Sequence, residues 1–558
     1  MDWLKTDDVT VLLAISFVAV YAVSKFLKPQ SLVHPLLLGR QADVGRVRLP
    51  GESAIYRNYA TGIMGRLPER PKPEIKLIGD LLQNDDKSRI LWSTTITNSQ
   101  LKERAEALGA GLLQVAKLLP RESTALLLLD DNLELLITDL ALANHSIVSF
   151  TLTEISLLIP TLEKHAPTTI IIQQSFLEHI LEHVADLRQS AHHTIIVLGD
   201  NKQTSDLHSQ RSGIRILRWE DLENQGKIML KPSTPSPGNT TLDLAGNFEP
   251  NDIINVSFFA DTNGDLRGSQ ISHANIIAGV TAARLLFPVG EPISSSDTLL
   301  SMFSLRSAFG RSIIYTALYE GANIITRPAP LQFEDDSTPT SELSQLLQTC
   351  EGSAISPSIL FLTPSQFKPL TSSILRAASS NPLFGLALRH KLSDLQEGFV
   401  TKVSFWDNLF LKGARTKSLG KLEATLRGIV VSGGRLETAA MEPARVAFSV
   451  PIVSAYSHPL VCGPVMASHP LDLQSFPGDS EPHFTVAHVG PPATNVEVKL
   501  VGVLDSSVEK GGDPTGDLLV RGPSVALALP APVNSNTEGW VPMDQKARVQ
   551  TNGTFKIL

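Results

Sequence analysis

The chain has 558 residues, 42% of them hydrophobic, enough for more than one domain with a sizeable core. Lys and Arg number 48 against 56 Asp and Glu, a net charge of -8 that leaves no basic footprint for nucleic acid. Two cysteines, Cys350 and Cys462, far apart and without metal-ligand spacing, exclude a disulfide scaffold and a zinc site and suit a reducing compartment.

Val9–Leu27 is a nineteen-residue apolar run with one charge, Lys25. That is close to the shortest helix that spans a bilayer. Lys25 and Tyr21 suit its interface. A signal peptide with Val20-Tyr21-Ala22 as its cleavage site is the rival, and a buried core helix is the other. Asp2, Asp7 and Asp8 outnumber Lys5 before the run, whereas Lys25, Lys28, Arg40 and Arg46 follow it. This polarity favours an anchor over residues 1–28 with the bulk of the chain in the cytosol. Residues 29–73, rich in Pro, Arg and Gly, read as an extended arm over the main body.

Thr97–Val115 opens with helix-start residues and continues with apolar residues at helical spacing. Ser123–Leu129 and Thr168–Ile172 read as strands of a parallel sheet with a helix between them. Gln203–Arg211 and Pro232–Asn239 read as polar loops. Ile253–Phe259 reads as a buried strand, and the runs Val496–Val503 and Asp517–Val520 as parts of a small β-subdomain. The expected division is 74–250 and 251–464 for two α/β subdomains and 465–558 for the last. No tandem repeat is visible.

After the strand comes F-A-D-T-N-G-D-L-R-G, Phe259–Gly268. It resembles the phosphate loop T-S-G-T-T-G-x-P-K-G of the adenylate-forming family: acyl-CoA synthetases, luciferases and peptide-synthetase adenylation domains. Thr262, Gly264 and Gly268 fit, and Arg267 stands for Lys. Asp261 replaces a Gly and Asp265 adds a second carboxylate. A loop that holds phosphates needs free N–H groups and positive charge, so both carboxylates work against it. Alone, the ten residues read equally well as a Gly-containing turn ahead of a helix. Ser272, His273 and Asn275 resemble the family's following V-x-x-T-H-x-N, and the expected order is strand, loop, helix.

Further motifs keep the family's order. Ala143–Gln173 resembles a crossing segment of long-chain acyl-CoA synthetases. Ser404–Phe410 resembles their W-D-x-L-[VI]-F, and Leu422–Leu436 their L-R-x-x-x-S-G-G-A-P-L with Gly433 and Gly434. Gly516–Pro523 resembles G-E-[LI]-x-[VI]-R-G-P. The resemblance spans roughly residues 54–558. It implies an adenylate-forming α/β fold: parallel-sheet subdomains plus a small distorted β-barrel, here preceded by a transmembrane helix.

The residues of the family's chemistry depart from its pattern. In Y-G-x-T-E, Tyr456 and Gly463 remain, while Pro459 and Leu460 replace Thr and Glu. Leucine cannot ligate a hard cation. His458 is a possible substitute, but a structural His is the commoner case. Asp544 lies one residue early for the ribose-binding Asp of G-W-x-x-T-G-D, and a solvated loop carboxylate is the bland alternative. Ser307 replaces the His of L-P-L-A-H-x-F-E-R, whereas Phe309 and Arg311 survive. Asn552–Leu558 resembles the G-x-[LF]-K-I-x-D-R hinge, and the Lys-bearing C-terminal domain that the family places after it is expected to be missing. Lys556 cannot replace its Lys.

Two functions follow from the resemblance. One is a catalytically impaired synthetase-like protein with no catalytic residue, cofactor or metal. It would bind fatty acid or another acyl ligand, or pair with an active synthetase or another membrane protein. The other is an active ligase that uses ATP, Mg²⁺ and CoA. The degenerate nucleotide site would comprise Thr262, Gly264, Arg267, Gly268, Gly433, Gly434, Tyr456 and Asp544. Endoplasmic reticulum is the first expectation for the membrane, with peroxisome, lipid droplet and mitochondrial outer membrane also compatible. The terminal K-I-L lacks the form of an S-K-L signal.

Overall fold

The computed structural model describes residues 7–26, 33–62, 65–83, 87–186, 194–199, 214–231, 248–288, 290–326, 343–345, 347–348, 356–474, 486–531 and 538–558. The two stretches read as polar loops, Gln203–Arg211 and Pro232–Asn239, lie outside them. Among the described residues the strands form sheets of eight, eight and six.

The first sheet is built on Thr124–Leu128, which pairs in parallel with Val148–Leu152 on one side and Thr169–Gln173 on the other. Its apolar run is continuous because both faces are covered. Ala125 and Leu127 face one buried cluster, Leu126 and Leu128 another, as the two-residue period of a strand requires. Thr194–Leu198 and Arg215–Arg218 extend the sheet at one end. Ile253–Ala260 joins it in parallel at the other. The second sheet has a parallel core of Asn323–Thr326, Thr298–Ser301, Ile359–Leu362, Gly428–Val431 and Ile452–Tyr456.

The sheets do not follow the boundary expected at 250/251. Ile253–Ala260 belongs to the first sheet, and Arg89–Leu91 with Thr94–Ile96 to the second. Each strand goes where its hydrogen-bonding edge finds a partner, and that is not local in sequence. The expected helix at Thr97 is present as Asn98–Gln114. Thr97 Oγ1 accepts the Gln100 N–H, and Gln100 Oε1 accepts the Thr97 N–H. Helix Trp219–Leu230 crosses it closely. A Cβ on Gly111 would lie 2.2 Å from the Leu222 carbonyl oxygen, and one on Gly226 1.8 Å from that of Ala107.

The third sheet is antiparallel: Ala42–Arg46, Ile55–Asn58, Glu497–Val501, Thr515–Arg521, Val541–Val549 and Phe555–Ile557. The segment read as an arm therefore supplies two of its strands. Arg57 pairs with Glu497, and the Ser53 N–H donates to the Leu500 carbonyl at 2.8 Å.

Helix Asp8–Phe26 covers the N-terminal apolar run. Residues 7–19 are all exposed, so the buried-core alternative does not hold for them. Among the residues described with side chains, no helix is long and apolar enough to cross a membrane.

Candidate functional site

The three sheets meet around a cavity of about 440 Å³. It opens at the C-terminal ends of the parallel strands Ile253–Ala260, Gly428–Val431 and Ile452–Tyr456, the usual ligand position in α/β sheets. Phe259, Ala260, Asp261 and Thr262 come from the first sheet, Gly433, Gly434, Arg435, Tyr456 and His458 from the second, and Met543, Asp544 and Ile557 from the third. A neighbouring cavity of about 570 Å³ shares Asp261, Thr262 and Asp544 and adds Arg267, Asp517 and Lys546.

The phosphate-loop resemblance resolves into a hairpin. Ile253–Ala260 turns back at 261–265 into the antiparallel strand Leu266–Ser272, and the helix His273–Ala283 starts only after it. The expected strand–loop–helix order is corrected: a second strand stands between the loop and the helix that follows it. Gly264 sits in the turn at φ +85°. Gly268 lies within the second strand, where a Cβ would come 3.1 Å from Val256 Cγ1 and 3.2 Å from Leu529 Cβ. Close packing accounts for this glycine.

Asp261 caps its own loop. Its Oδ1 accepts the N–H groups of Asn263 and Asp265, each at 2.9 Å, and Oδ2 accepts from Arg267 Nε at 3.1 Å. The Asp265 N–H, the Asn263 N–H and the Arg267 guanidinium hold the Asp261 carboxyl below the usual carboxylate range, against the opposing effect of desolvation. The donors that a phosphate would need already serve a carboxylate of the same sign.

Opposite the hairpin, Gly433 has φ +78°, and Ser432 Oγ donates to Ser457 Oγ at 2.9 Å, joining the Gly-Gly turn to the Tyr456 loop. The Tyr456 hydroxyl is buried and makes no hydrogen bond among the described residues. Burial, then the charge of Asp544, pushes its pKa up, so it stays a neutral O–H donor. Asp544 has φ +47° at an irregularity in the pairing of Val541–Val549 with Thr515–Arg521. Such bulges re-aim side chains, and this one puts Asp544 on the cavity. His458 accepts the Leu460 N–H on Nδ1 at 3.2 Å, and burial pushes its pKa down to about 4.

Thr262, Gly433, Gly434, Tyr456 and Asp544 thus line one cavity, Arg267 lines its neighbour, and Gly264 and Gly268 line neither. Leu460 turns away and joins the buried cluster of the third sheet. Ser307 caps helix Ala308–Glu320 and also lines the cavity. Arg311 is wholly buried against Asp139, which also accepts from Tyr315. His273 and Asn275 are structural. His273 Nδ1 accepts the Ile78 N–H at 3.2 Å, and Asn275 completes a cap with Ser272 and donates to the Pro523 carbonyl at 2.9 Å. Sequence reasoning missed Arg435, although it stands where the resembled pattern has Ala. It brings a guanidinium to the cavity wall.

The family model described as AMP-binding enzyme matches residues 82–528. The chain belongs to the AMP-binding enzyme family. This AMP-binding protein is 22% identical over 476 residues to "Long-chain-fatty-acid--CoA ligase 5" of Mus musculus, covering 83% of this chain and 63% of that protein. It is 22% identical over 485 residues to "Long-chain-fatty-acid--CoA ligase 6" of Homo sapiens, covering 83% of this chain and 62% of that protein. The chain therefore spans about three-fifths of the length of these curated relatives. Its fold is like that of the anthranilate CoA ligase AuaEII in complex with anthranoyl-AMP, at TM-score 0.59 and 17% identity over 87% of this chain and 78% of that one. It is also like a long-chain-fatty-acid-CoA ligase of Archaeoglobus fulgidus, at TM-score 0.59 and 11% identity over 88% and 86%. The AMP-binding fold is thus an α/β adenylate-forming one.

Proposed function

We propose that this long-chain acyl-CoA ligase-like protein is a membrane-anchored, catalytically impaired member of its family that holds a fatty-acid or other acyl ligand, or a protein partner. The observation that carries this reading is the self-capped loop. Asp261 takes up two backbone N–H groups and Arg267, and leaves a negative charge where a triphosphate would lie. Leu460 in the core of the third sheet supports it, because an oxygen ligand for Mg²⁺ is missing from that position. The residues present suit the nucleoside end of ATP better than its phosphates: Gly433 and Gly434 allow close approach, Tyr456 offers a free hydroxyl, and Asp544 could accept from ribose. If the enzyme is active, Mg²⁺ and CoA are its further requirements. The degenerate motifs offer no resident set of ligands for the metal.

The apolar helix Asp8–Phe26, exposed over residues 8–19, supports an anchor with the bulk of the chain in the cytosol, the endoplasmic reticulum being the first membrane to examine. Deleting residues 1–29 should release the protein from carbonate-washed membranes. Retention in the carbonate-washed pellet would refute the reading of this helix as the anchor. Catalysis is tested by ATP–pyrophosphate exchange with Mg²⁺ and a panel of fatty acids, beside direct fatty-acid binding. Binding without exchange is the expected result. Exchange that needs fatty acid and disappears in Arg267→Ala would establish the active-ligase alternative.

A further inference from the structure

The region resembling W-D-x-L-F carries an exposed apolar surface that the nucleotide cavity does not use. Val403 is 81% exposed, Phe405 69% and Leu409 52%. Trp406 packs edge-on to Phe405 at 5.4 Å and stacks with Phe410 at 5.9 Å. It also meets His390, at 6.2 Å, on helix Phe384–Gln396. Leu383, Leu386 and His390 are spaced i, i+3 and i+7, hence on one face. Leu383 and Leu386 are 48% and 54% exposed, so the surface runs on from the aromatic group along that helix.

This surface is held in place from beneath. Asp407 is fully buried and receives Lys391, Arg415 Nη1 at 2.9 Å, Ser404 Oγ at 2.6 Å and Ser449 Oγ at 3.1 Å. It sits in a π-helical turn, Asp407–Leu411. Lys391 also donates to the Thr401 carbonyl at 2.6 Å, and Lys402 to that of Glu423 at 2.9 Å. A buried charge is tolerated only in such a satisfied network. The network fixes the backbone of 401–411, with Phe405 and Leu409 outward. On the same two segments, Arg389, Lys412 and Lys417 are exposed against one exposed carboxylate between 383 and 419, Glu397.

We propose that this face is a docking surface for a membrane bearing anionic lipid, separate from the N-terminal helix. Trp settles at the headgroup level, and Phe and Leu bury just beneath it. The exposed cations of these segments complement lipid phosphate and carboxylate groups. An apolar patch of this make-up is unusual on a surface that faces only water. Docking here orients the main body on the bilayer, whereas a tether at the N-terminus alone leaves it free to tumble.

The test uses the full chain with vesicles of brominated phosphatidylcholine and phosphatidylserine, and reads quenching of tryptophan fluorescence. The difference between wild type and Trp406→Phe isolates Trp406 from the other tryptophans. The expected result is a quenched component that Trp406→Phe removes. Phe405→Ser with Leu409→Ser should abolish that component. Lys412→Glu with Lys417→Glu should lower it, and so should added salt. Vesicle-bound protein whose Trp406 remains unquenched would overturn the proposal, because another segment then does the tethering. Failure of the chain to bind vesicles would overturn it too. So would a lipid-free dimer that the double Ser variant dissociates, since a second copy would then be the occupant.

Discussion

Asp261→Gly is the perturbation that isolates the self-capped loop. In the structure this carboxylate accepts two backbone N–H groups at 2.9 Å and Arg267 Nε at 3.1 Å. Glycine frees all three donors and removes one negative charge. A hydrogen bond to a charged group typically changes affinity by about tenfold. Two recovered N–H groups therefore predict binding of ATP tightened about a hundredfold, before Arg267 contributes. Asp261→Asn keeps an oxygen acceptor for the loop but removes the charge, and should recover only about tenfold. Isothermal titration with Mg-ATP measures both, and a thermal melt checks that each variant is folded. Unchanged ATP affinity in folded Asp261→Gly would refute the argument that this side chain closes the loop to phosphate.

Three further outcomes are expected. Leu460→Glu places a carboxylate in the core of the third sheet, so it should destabilise by about 3 kcal/mol or more in urea titration without restoring pyrophosphate exchange. A gain of exchange would mean that this side chain reaches the nucleotide. Arg311→Leu leaves the buried Asp139 with Tyr315 but no cation. It should cost about 3–5 kcal/mol of stability, and a loss below about 1 kcal/mol would contradict the pairing. Burial would raise the pKa of Asp472, yet His488 and the Gln41 amide hold it at about 2, below the ordinary 3.8. The folded pKa is the lower one, so the stabilisation is present above about pH 4 and lost as pH falls towards 2. It is on the order of 2 kcal/mol. Asp472→Asn should flatten that acid limb of the stability curve, and an unaltered limb would exclude Asp472 as its source.

Local stereochemistry made much of the fold legible. The largely apolar runs at Thr124–Leu128 and Ile253–Ala260 read as buried strands, and Thr97 with Gln100 marks a helix start by a hydrogen bond that closes within four residues. The glycines and Tyr456 were visible as a set because they occur in a motif of fixed order, and five of the eight expected nucleotide residues do line one cavity. Tertiary structure alone decided the rest. Ala42–Arg46 and Ile55–Asn58 are short and carry Gly and Arg. Only pairing with Glu497–Val501, more than 400 residues away, makes them part of a sheet. Asp261 reads from sequence as a charge that repels phosphate, and the turn reveals that it also takes the phosphate's donors. Leu460 reads as a lost metal ligand, and the backbone after Tyr456 turns it into the core of the third sheet. Periodicity and turn chemistry act over a few residues and are written in the chain. The direction in which a loop side chain points, and the edge on which a strand finds its partner, depend on groups brought together only by folding.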